Sequence, residues 1–460
     1  MPQRIVIVGG GFSGTVLAAS LLRRLPSDAP AEVVLIERSP VMGRGVAYAV
    51  RDWPYLLNVP AGRLSVDSKE PLQFLRFAQR TLPDADAEDF LPRELYGDYL
   101  QEVLSRAERD APAQVRFTRI VGEVWRISPC AADAAFELEV AGRDSVLADR
   151  VVLAVGNPPP ATMPWARAVR DHPGYRADPW ALPRRLGPEQ AVVILGSGLT
   201  MADVVTSLGD DAERAPRMVS ISRHGLLPLP QSKFGAPALQ SDGLELARAG
   251  TIRELLAASR ALVGKGDELG GDWREVVTLI RHLAPQLWRR LPEVERRRFV
   301  RHLRSYWDVH RHRLPPQMAS RLDALRRSGH LEVNAGRIVA MQADADRLRV
   351  TWRRRGSAVL RTLVADVVVN AIGPDYSVRR SENSLLKSLR DAKLISEDAL
   401  ELGLRTTLNG VCVAADGTAN HPLYYLGPML RADHWEATAA AELRDHAERM
   451  AQHMAAGSEP

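Results

Sequence analysis

The chain has 460 residues, is 45% hydrophobic and 25% charged, and carries a formal net charge of +5. This is the composition of an ordinary soluble protein with two or three domains and ample core. The positive excess is too small and too dispersed for a nucleic-acid binder, and no apolar run reaches the length of a membrane span, which argues against an integral membrane protein. Two cysteines, Cys130 and Cys412, form no Cys-x-x-Cys pair. That argues for a reducing, cytoplasmic compartment and against a redox-disulfide mechanism.

The first element in the chain is also the most informative. Ile5 to Val8 is a buried strand by composition, followed by Gly9-x-Gly11-x-x-Gly14 and a helix opening at about Thr15. It reads as a nucleotide-fold strand and not as a signal peptide. Gly9 allows the tight turn, Gly11 admits a pyrophosphate to the backbone, and Gly14 lets helix and strand pack closely. The helix start offers N–H groups and the positive end of its dipole. A second strand, Glu32 to Glu37, ends in an acid at the spacing of a ribose ligand. Strand, glycines, helix, strand and Glu37 in this order predict a dinucleotide site.

Next come Gly43 to Tyr48 and Tyr55 to Gly62, two Gly- and Pro-rich loops expected to line a cofactor or substrate. Pro71 to Phe77 and Arg93 to Leu104 read as amphipathic helices. Val115 to Val121, Phe136 to Val140 and Asp149 to Val155 read as strands, the last running into Gly156 and Pro158. The pattern then restarts. Ala191 to Leu195 is an apolar strand, followed by Gly196-x-Gly198 and a helix start, with Met201 at the third glycine position. The following strand, Met218 to Ser222, ends in Arg223-His224. An arginine at this place accommodates a 2′-phosphate, which favours NADPH over NADH; the alternative is a solvated strand-end charge. Two such units in one chain suggest FAD and NAD(P)H facing each other.

From about 243 to 329 the sequence is helical and basic, with one helix expected over Leu291 to Arg313 and stopped by Pro315-Pro316. It reads either as a solvated face or as a lid over the cleft. His310 and His312 do not share a helical face, so no metal site is expected there. Strand patterns resume at Leu331 to Val333, Leu348 to Arg353 and Asp366 to Asn370. Gly410 to Gly417 reads as a strand into an Asp-Gly turn, Leu423 to Leu426 as a strand ending at Gly427, and Asp433 to Met454 as a long helix with Asp433 as N-cap.

Several stretches together carry a resemblance across nearly the whole chain: Val8-Gly-Gly-Gly-Phe-Ser-Gly14, Gly43-Arg-Gly-Val-Ala-Tyr48, Leu56-Leu-Asn-Val-Pro-Ala61, Gly196-Ser-Gly-Leu-Thr-Met-Ala-Asp203, Ser222-Arg-His-Gly-Leu-Leu-Pro228, Trp307-Asp-Val-His-Arg-His-Arg313 and Trp435-Glu-Ala-Thr438 with Glu442-Leu-Arg444. On these the chain resembles a bacterial family of FAD/NAD(P)-binding oxidoreductases. That family is related to the flavin-containing and N-hydroxylating monooxygenases and to the disulfide reductases. The resemblance implies an α/β fold of two Rossmann-like dinucleotide-binding domains with a helical insertion. The strand-to-glycine exits at Val151 to Gly156 and Val367 to Gly373 read as the two crossings between domains, so the FAD domain is expected to be split over 1–162 and 363–460, with an NAD(P)H domain over 163–362 and the insertion at about 243–329.

The implied FAD residues are Gly9, Gly11, Phe12, Ser13, Gly14, Glu37, Arg44, Asn58, Val121, Gly156 and Gly427. The implied NADPH residues are Gly196, Gly198, Leu199, Thr200 and Arg223, and those near the reacting ring are Asn58, Trp307 and His310. Either Asp416 or Gly427 stands where relatives place a Gly-Asp pair at the flavin, with Gly427 favoured. The expected reaction is NADPH-driven oxygenation by O2 of a small amine or other soft nucleophile through a flavin hydroperoxide. The alternatives are a reductase passing electrons to a small acceptor or protein, and a nucleotide-binding sensor. One departure counts against transferring monooxygenase activity directly: His172 to Trp180 stands where flavin-containing monooxygenases carry a phenylalanine-glycine-histidine motif.

Overall fold

Two parallel sheets, each begun by one of the glycine turns, carry the fold. The computed structural model describes residues 2–49, 55–130, 135–182, 186–210, 214–232, 239, 241 and 243–456. The chain opens with β1 (Gln3–Val8), α1 (Phe12–Arg24) and β2 (Ala31–Glu37), then α2 (Gln73–Ala78), α3 (Arg93–Arg109) and β3 (Val115–Val121). β4 (Val124–Pro129), β5 (Phe136–Val140) and β6 (Val146–Ala148) form a small antiparallel sheet before β7 (Arg150–Leu153). The second half of the repeat has β8 (Tyr175–Arg176), β9 (Ala191–Leu195), α4 (Leu199–Leu208) and β10 (Arg217–Ser222). Helices α5 (Leu244–Arg248), α6 (Ile252–Glu268), α7 (Trp273–Arg290), α8 (Glu293–Arg298), α9 (Arg304–Arg311) and α10 (Pro316–Arg327) follow. Then come β11 (Leu331–Asp344), β12 (Arg347–Arg354), β13 (Leu360–Ala365), β14 (Val367–Asn370), α11 (Ser384–Asp391), β15 (Val411–Val413), β16 (Ala419–Tyr425) and α12 (Ala440–Ala455).

The first sheet has the order β15-β16-β7-β1-β2-β3, parallel except for β15. Both ends of the chain therefore build it. Its central strands are apolar on both faces because both are covered: Ile5 to Val8 and Val33 to Ile36 are all buried. Helix α1 is buried from Ser13 to Leu22, since α3 and α12 pack against it on top of the sheet. The second sheet has the order β13-β12-β11-β10-β9-β14-β8, with parallel pairing from β11 to β8 and an antiparallel β11–β12–β13 meander.

Four expectations need correction. The boundary at 362/363 falls inside β13, and β14 also belongs to the second sheet, so the chain returns to the first sheet only after Asn370. Val367 to Asn370 is completely buried between β9 and β8, which is why its apolar run repeats that of β7. The helix expected over Leu291 to Arg313 is α8 and α9 joined by a single π turn at Phe299–Leu303, ending at Arg311. Such turns insert one residue into the helical ladder and often mark functional sites. The strand read at Leu331 to Val333 is only the start of the 14-residue β11.

The last helix begins at Ala440, with Ala439 and not Asp433 at its N-cap. His434, Trp435 and Glu436 are all buried here, with Trp435 packed on Trp288 and Phe299. The chain instead makes a 3₁₀ turn over Pro428–Ala432, and the Asp433 carboxylate accepts the Thr406 N–H at 3.0 Å.

Candidate active site

Parallel strands put their carboxyl ends on one edge. In the first sheet that edge carries Gly9 after β1, Glu37 at the end of β2, Gly156 beyond β7 and Gly427 beyond β16. Gly9 has φ +110°, and a β-carbon there would lie 2.3 Å from the Ala154 carbonyl oxygen. At Gly14 a β-carbon would lie 1.9 Å from the Gly9 oxygen. Both positions therefore admit glycine alone. Gly11 is different. It is the N-cap of α1, at φ −76°, and a β-carbon would meet only Gly45 Cα at 3.5 Å.

No side chain caps α1 and no acid lies in its first turn, so the N–H groups of Phe12, Ser13 and Gly14 are unpaired within the helix. A helix start of this kind fits a pyrophosphate. The Glu37 carboxylate accepts the Gly10 N–H at 2.6 Å and the Ser39 N–H at 3.0 Å, which fixes it over the glycine turn with lone pairs left for a ribose diol. Phe12 stacks on Tyr96 at 6.3 Å. Val121 is exposed beside Glu37, where β3 ends.

Arg44 lies against α3, paired with Asp98 and 14% exposed. The contacts of its loop with the turn come from its neighbours. Gly43 N–H donates to the Gly10 oxygen at 2.7 Å, and a β-carbon on Gly45 would lie 3.0 Å from Gly11 Cα. Glycines flanking Arg44 were the readable signal for that approach. Asp416 sits exposed in the β15–β16 hairpin, bonded to Thr418, at the sheet edge opposite Gly9. Gly427 sits on the Gly9 edge, directly after the Leu426 N–H pairs with the Leu153 oxygen at 2.9 Å. It leads into a 3₁₀ turn, not the long helix.

The second sheet repeats the geometry. Gly196 has φ +109°, and a β-carbon there would lie 2.4 Å from the Ala371 oxygen, the counterpart of Ala154. Gly198 is the uncapped N-cap of α4, with open space where its β-carbon would be, and Leu199 and Thr200 form the first turn. Buried Met201 fills the third glycine position. At the end of β10, Arg223 is exposed and His224 Nδ1 lies 3.0 Å from Arg355 Nη1. Burial, Arg355 and Arg223 together hold the His224 imidazole below its ordinary value. Arg355 was not singled out in the sequence, because only the β11–β12 pairing brings it to this edge.

Between the sheets the two crossings run side by side. Pro160 bridges Pro374, Asp375 N–H donates to the Pro159 oxygen at 3.1 Å, and the Tyr376 hydroxyl meets Asn157 Oδ1 at 3.1 Å. The helical insertion closes onto the C-terminal segment through α9. Trp307 Nε1 donates to Glu436 Oε1 at 3.1 Å, and Arg311 Nε donates to Glu436 Oε2 at 2.7 Å. Arg281 pairs with Glu442, and the Arg431 guanidinium lies 3.8 Å over the Trp435 ring. His310 is held by the Tyr306 carbonyl at 2.7 Å and packs on Trp273 at 4.9 Å. Half-buried Asn58 offers its backbone oxygen to Gln231 Nε2 at 3.3 Å.

The Arg311–Glu436 pair is 10% and 4% exposed. Glu436→Ala would leave that guanidinium buried with only the longer 3.8 Å contact to Glu442, at a cost of up to about 3–5 kcal/mol. A lowered denaturation midpoint is expected, with Glu436→Gln losing less because its amide oxygen still accepts one bond. Among the described residues, no group of three His, Cys, Asp or Glu is placed to hold a metal ion, and no helix is long and apolar enough to cross a membrane.

Two glycine turns at the carboxyl edges of two parallel sheets, one sheet built from both chain ends, define the fold of the two-dinucleotide-binding flavoproteins. Residues 6–158 match the FAD-NAD(P)-binding family model. No curated protein sequence matches the chain significantly. Solved structures do match over the full length. L-lysine 6-monooxygenase from Pseudomonas syringae is 16% identical with a TM-score of 0.66, covering 99% of each chain. Ornithine hydroxylase from Pseudomonas aeruginosa is 16% identical with a TM-score of 0.64, again over 99% of each. Bacillithiol disulfide reductase from Staphylococcus aureus is 14% identical with a TM-score of 0.57, covering 99% of this chain and 100% of that one.

Proposed function

We propose that this chain is an NADPH-dependent FAD oxidoreductase that uses O2 to oxygenate a small amine or other soft nucleophile. The observation that carries the reading is the matched pair of uncapped helix starts, α1 and α4. Each follows a glycine turn, and the paired crossings at Asn157–Pro160 and Pro374–Tyr376 join their sheets. The first turn of α1 would hold FAD, which would supply the redox chemistry between NADPH and O2, with one oxygen atom going to the substrate and the other to water.

The residues of the chain do the positioning. Glu37 would orient the FAD ribose, the first turns of α1 and α4 would hold the pyrophosphates, and Arg223 with Arg355 would take the 2′-phosphate of NADPH. The segment from Gly427 to Glu436, locked by Trp307 and Arg311, would wall the reacting end from water. The oxygenase reading draws on the similar solved structures, named as an ornithine hydroxylase, a lysine monooxygenase and a cadaverine monooxygenase.

A reductase reading draws on the bacillithiol disulfide reductases of the same fold. Cys412 is buried in β15 and burial pushes its thiol above the ordinary range, whereas Cys130 follows β4 of the small antiparallel sheet. Electrons would then go to an external acceptor. The deciding measurement is O2 uptake with NADPH across a panel of primary amines and thiols, with hydrogen peroxide quantified alongside. Oxygenated product formed in step with NADPH consumption supports the oxygenase. Turnover of an added disulfide or quinone under anaerobic conditions, with only peroxide formed in air, would replace it with the reductase.

A further inference from the structure

The loop at Tyr55 to Asn58 and the start of α3 form one unit. Arg93 N–H donates to the Tyr55 oxygen at 2.8 Å, Leu57 N–H donates to the Leu91 oxygen at 2.8 Å, and Leu56 bridges Pro92. Both segments belong to the first nucleotide unit by chain order. Yet Leu56 packs against the apolar core of the second, as Leu199 does, and the Asn58 backbone oxygen accepts from Gln231.

The Arg93 side chain extends the same bridge. Its Nε donates to the Leu56 oxygen at 2.9 Å, and its Nη2 lies 2.9 Å from Asp203 Oδ2. Its guanidinium stands 5.8 Å from the ring centres of both Tyr55 and Trp180. Asp203 is on α4, one turn beyond Gly198, and is 2% exposed. Its Oδ1 has no hydrogen-bond partner among the described residues. A buried carboxylate with one counterion depends strongly on that counterion.

Helix α3 carries a second contact of the same kind at its other neighbour. Tyr96 stacks on Phe12, the first residue of α1. A β-carbon on Gly97 would lie 2.8 Å from the Tyr48 oxygen, in the loop that covers Gly11. One helix therefore touches both glycine-turn helices, at Phe12 on α1 and at Asp203 on α4.

We propose that Arg93 and Asp203 form a latch that fixes the NADPH-binding helix relative to the FAD-binding helix, making the pair a positioning element for hydride transfer. The proposal rests on the reading above that α1 holds FAD and α4 holds NADPH. Neither side chain touches a reacting atom. Their effect is on the distance and angle between nicotinamide and flavin, not on the affinity for either nucleotide.

The experiment compares wild type with Arg93→Gln, Asp203→Asn, the double variant and Arg93→Lys, all as the full FAD-loaded chain. Stopped-flow flavin reduction over a range of NADPH concentrations gives a limiting rate and a Kd. Misplacement costs the limiting rate, so each single neutral variant should lose about 10- to 100-fold, while the NADPH Kd moves by less than about threefold. The double variant should be no slower than the slower single, because the two act through one interaction. Arg93→Lys should recover most of the rate. An unchanged limiting rate in the singles, or losses that multiply in the double, would overturn the latch.

Hydrogen exchange judges the same variants without any reductant. In Arg93→Gln, the amides of Leu56 to Asn58 and of α4 should exchange at least about tenfold faster while those of β1 and β2 stay protected. Unchanged protection at both places overturns the latch even if wild-type flavin is not reduced by NADPH. That last result would by itself sink only the functional reading.

Discussion

Valine at position 11 is expected to give a folded chain that no longer retains FAD, and valine at position 198 a flavin-loaded chain that NADPH cannot reduce. Both glycines are helix N-caps with ordinary backbone angles, φ −76° at Gly11 and φ −87° at Gly198, so strain does not decide the outcome. Space for a β-carbon does not decide it either. The added β-carbon would meet only Gly45 Cα at 3.5 Å in the first case and nothing within 4 Å in the second. What the side chain would occupy is the approach of a pyrophosphate to the helix start. Losing two charge-assisted hydrogen bonds of about 1.5–3 kcal/mol each corresponds to roughly 10²–10⁴-fold in affinity.

Gly14→Ala is the contrasting case. Its methyl would lie 1.9 Å from the backbone oxygen of Gly9, and that oxygen cannot withdraw without breaking the turn. This variant should fail to fold, with or without FAD. Flavin absorbance per chain, far-ultraviolet circular dichroism and anaerobic flavin reduction by NADPH separate the three outcomes. A Gly11→Val protein with its normal flavin content would remove the assignment of FAD to the first glycine turn.

Gly9 and Gly14 were readable because backbone atoms crowd the place of a β-carbon. A turn that abuts a neighbouring carbonyl admits only glycine, so the spacing survives in the sequence, and the same holds for Gly196 against Ala371. The return of the C-terminal strands to the first sheet was readable as the repeated exit after β7 and β14. The domain boundary was misplaced because β13 and β14 follow each other with no breaker between them. The segment from His434 to Ala437 was read as helix because its composition is helical. Packing of Trp435 on Trp288 and Phe299 then overrode propensity. Arg93 and Asp203 were both quoted in motifs, yet nothing local marks them as partners. Their pairing exists only once α3 and α4 are brought together. Burial pushes the Asp203 carboxyl up to about 6 despite Arg93, a sign of how dry that junction is.

Cofactor choice is expected to depend on two arginines, not on Arg223 alone. A guanidinium grips a phosphate through two hydrogen bonds, and NADPH carries a 2′-phosphate where NADH has a hydroxyl. Arg223 follows β10 at the exposed carboxyl edge, and Arg355 reaches the same edge from the β12 end of the meander. Its N–H donates to the Ala335 oxygen at 2.9 Å, and a β-carbon on Gly225 would lie 2.9 Å from Ala335 N, so the chain is tightly apposed there. His224, held towards its neutral form between them, adds little charge of its own.

One contact of this kind contributes roughly 1.5–3 kcal/mol, about ten- to hundredfold in affinity. Arg223→Ala should therefore erase most of the preference for NADPH over NADH, and the double variant with Arg355→Ala should remove what is left. NADH kinetics should stay nearly unchanged throughout, because the nicotinamide and pyrophosphate contacts are untouched. Flavin reduction rates and KM for both nucleotides, in wild type and the two variants, decide the matter. Equal use of the two nucleotides by wild type, or equal losses for both in Arg223→Ala, would mean that Arg223 is only a charge at the end of a strand.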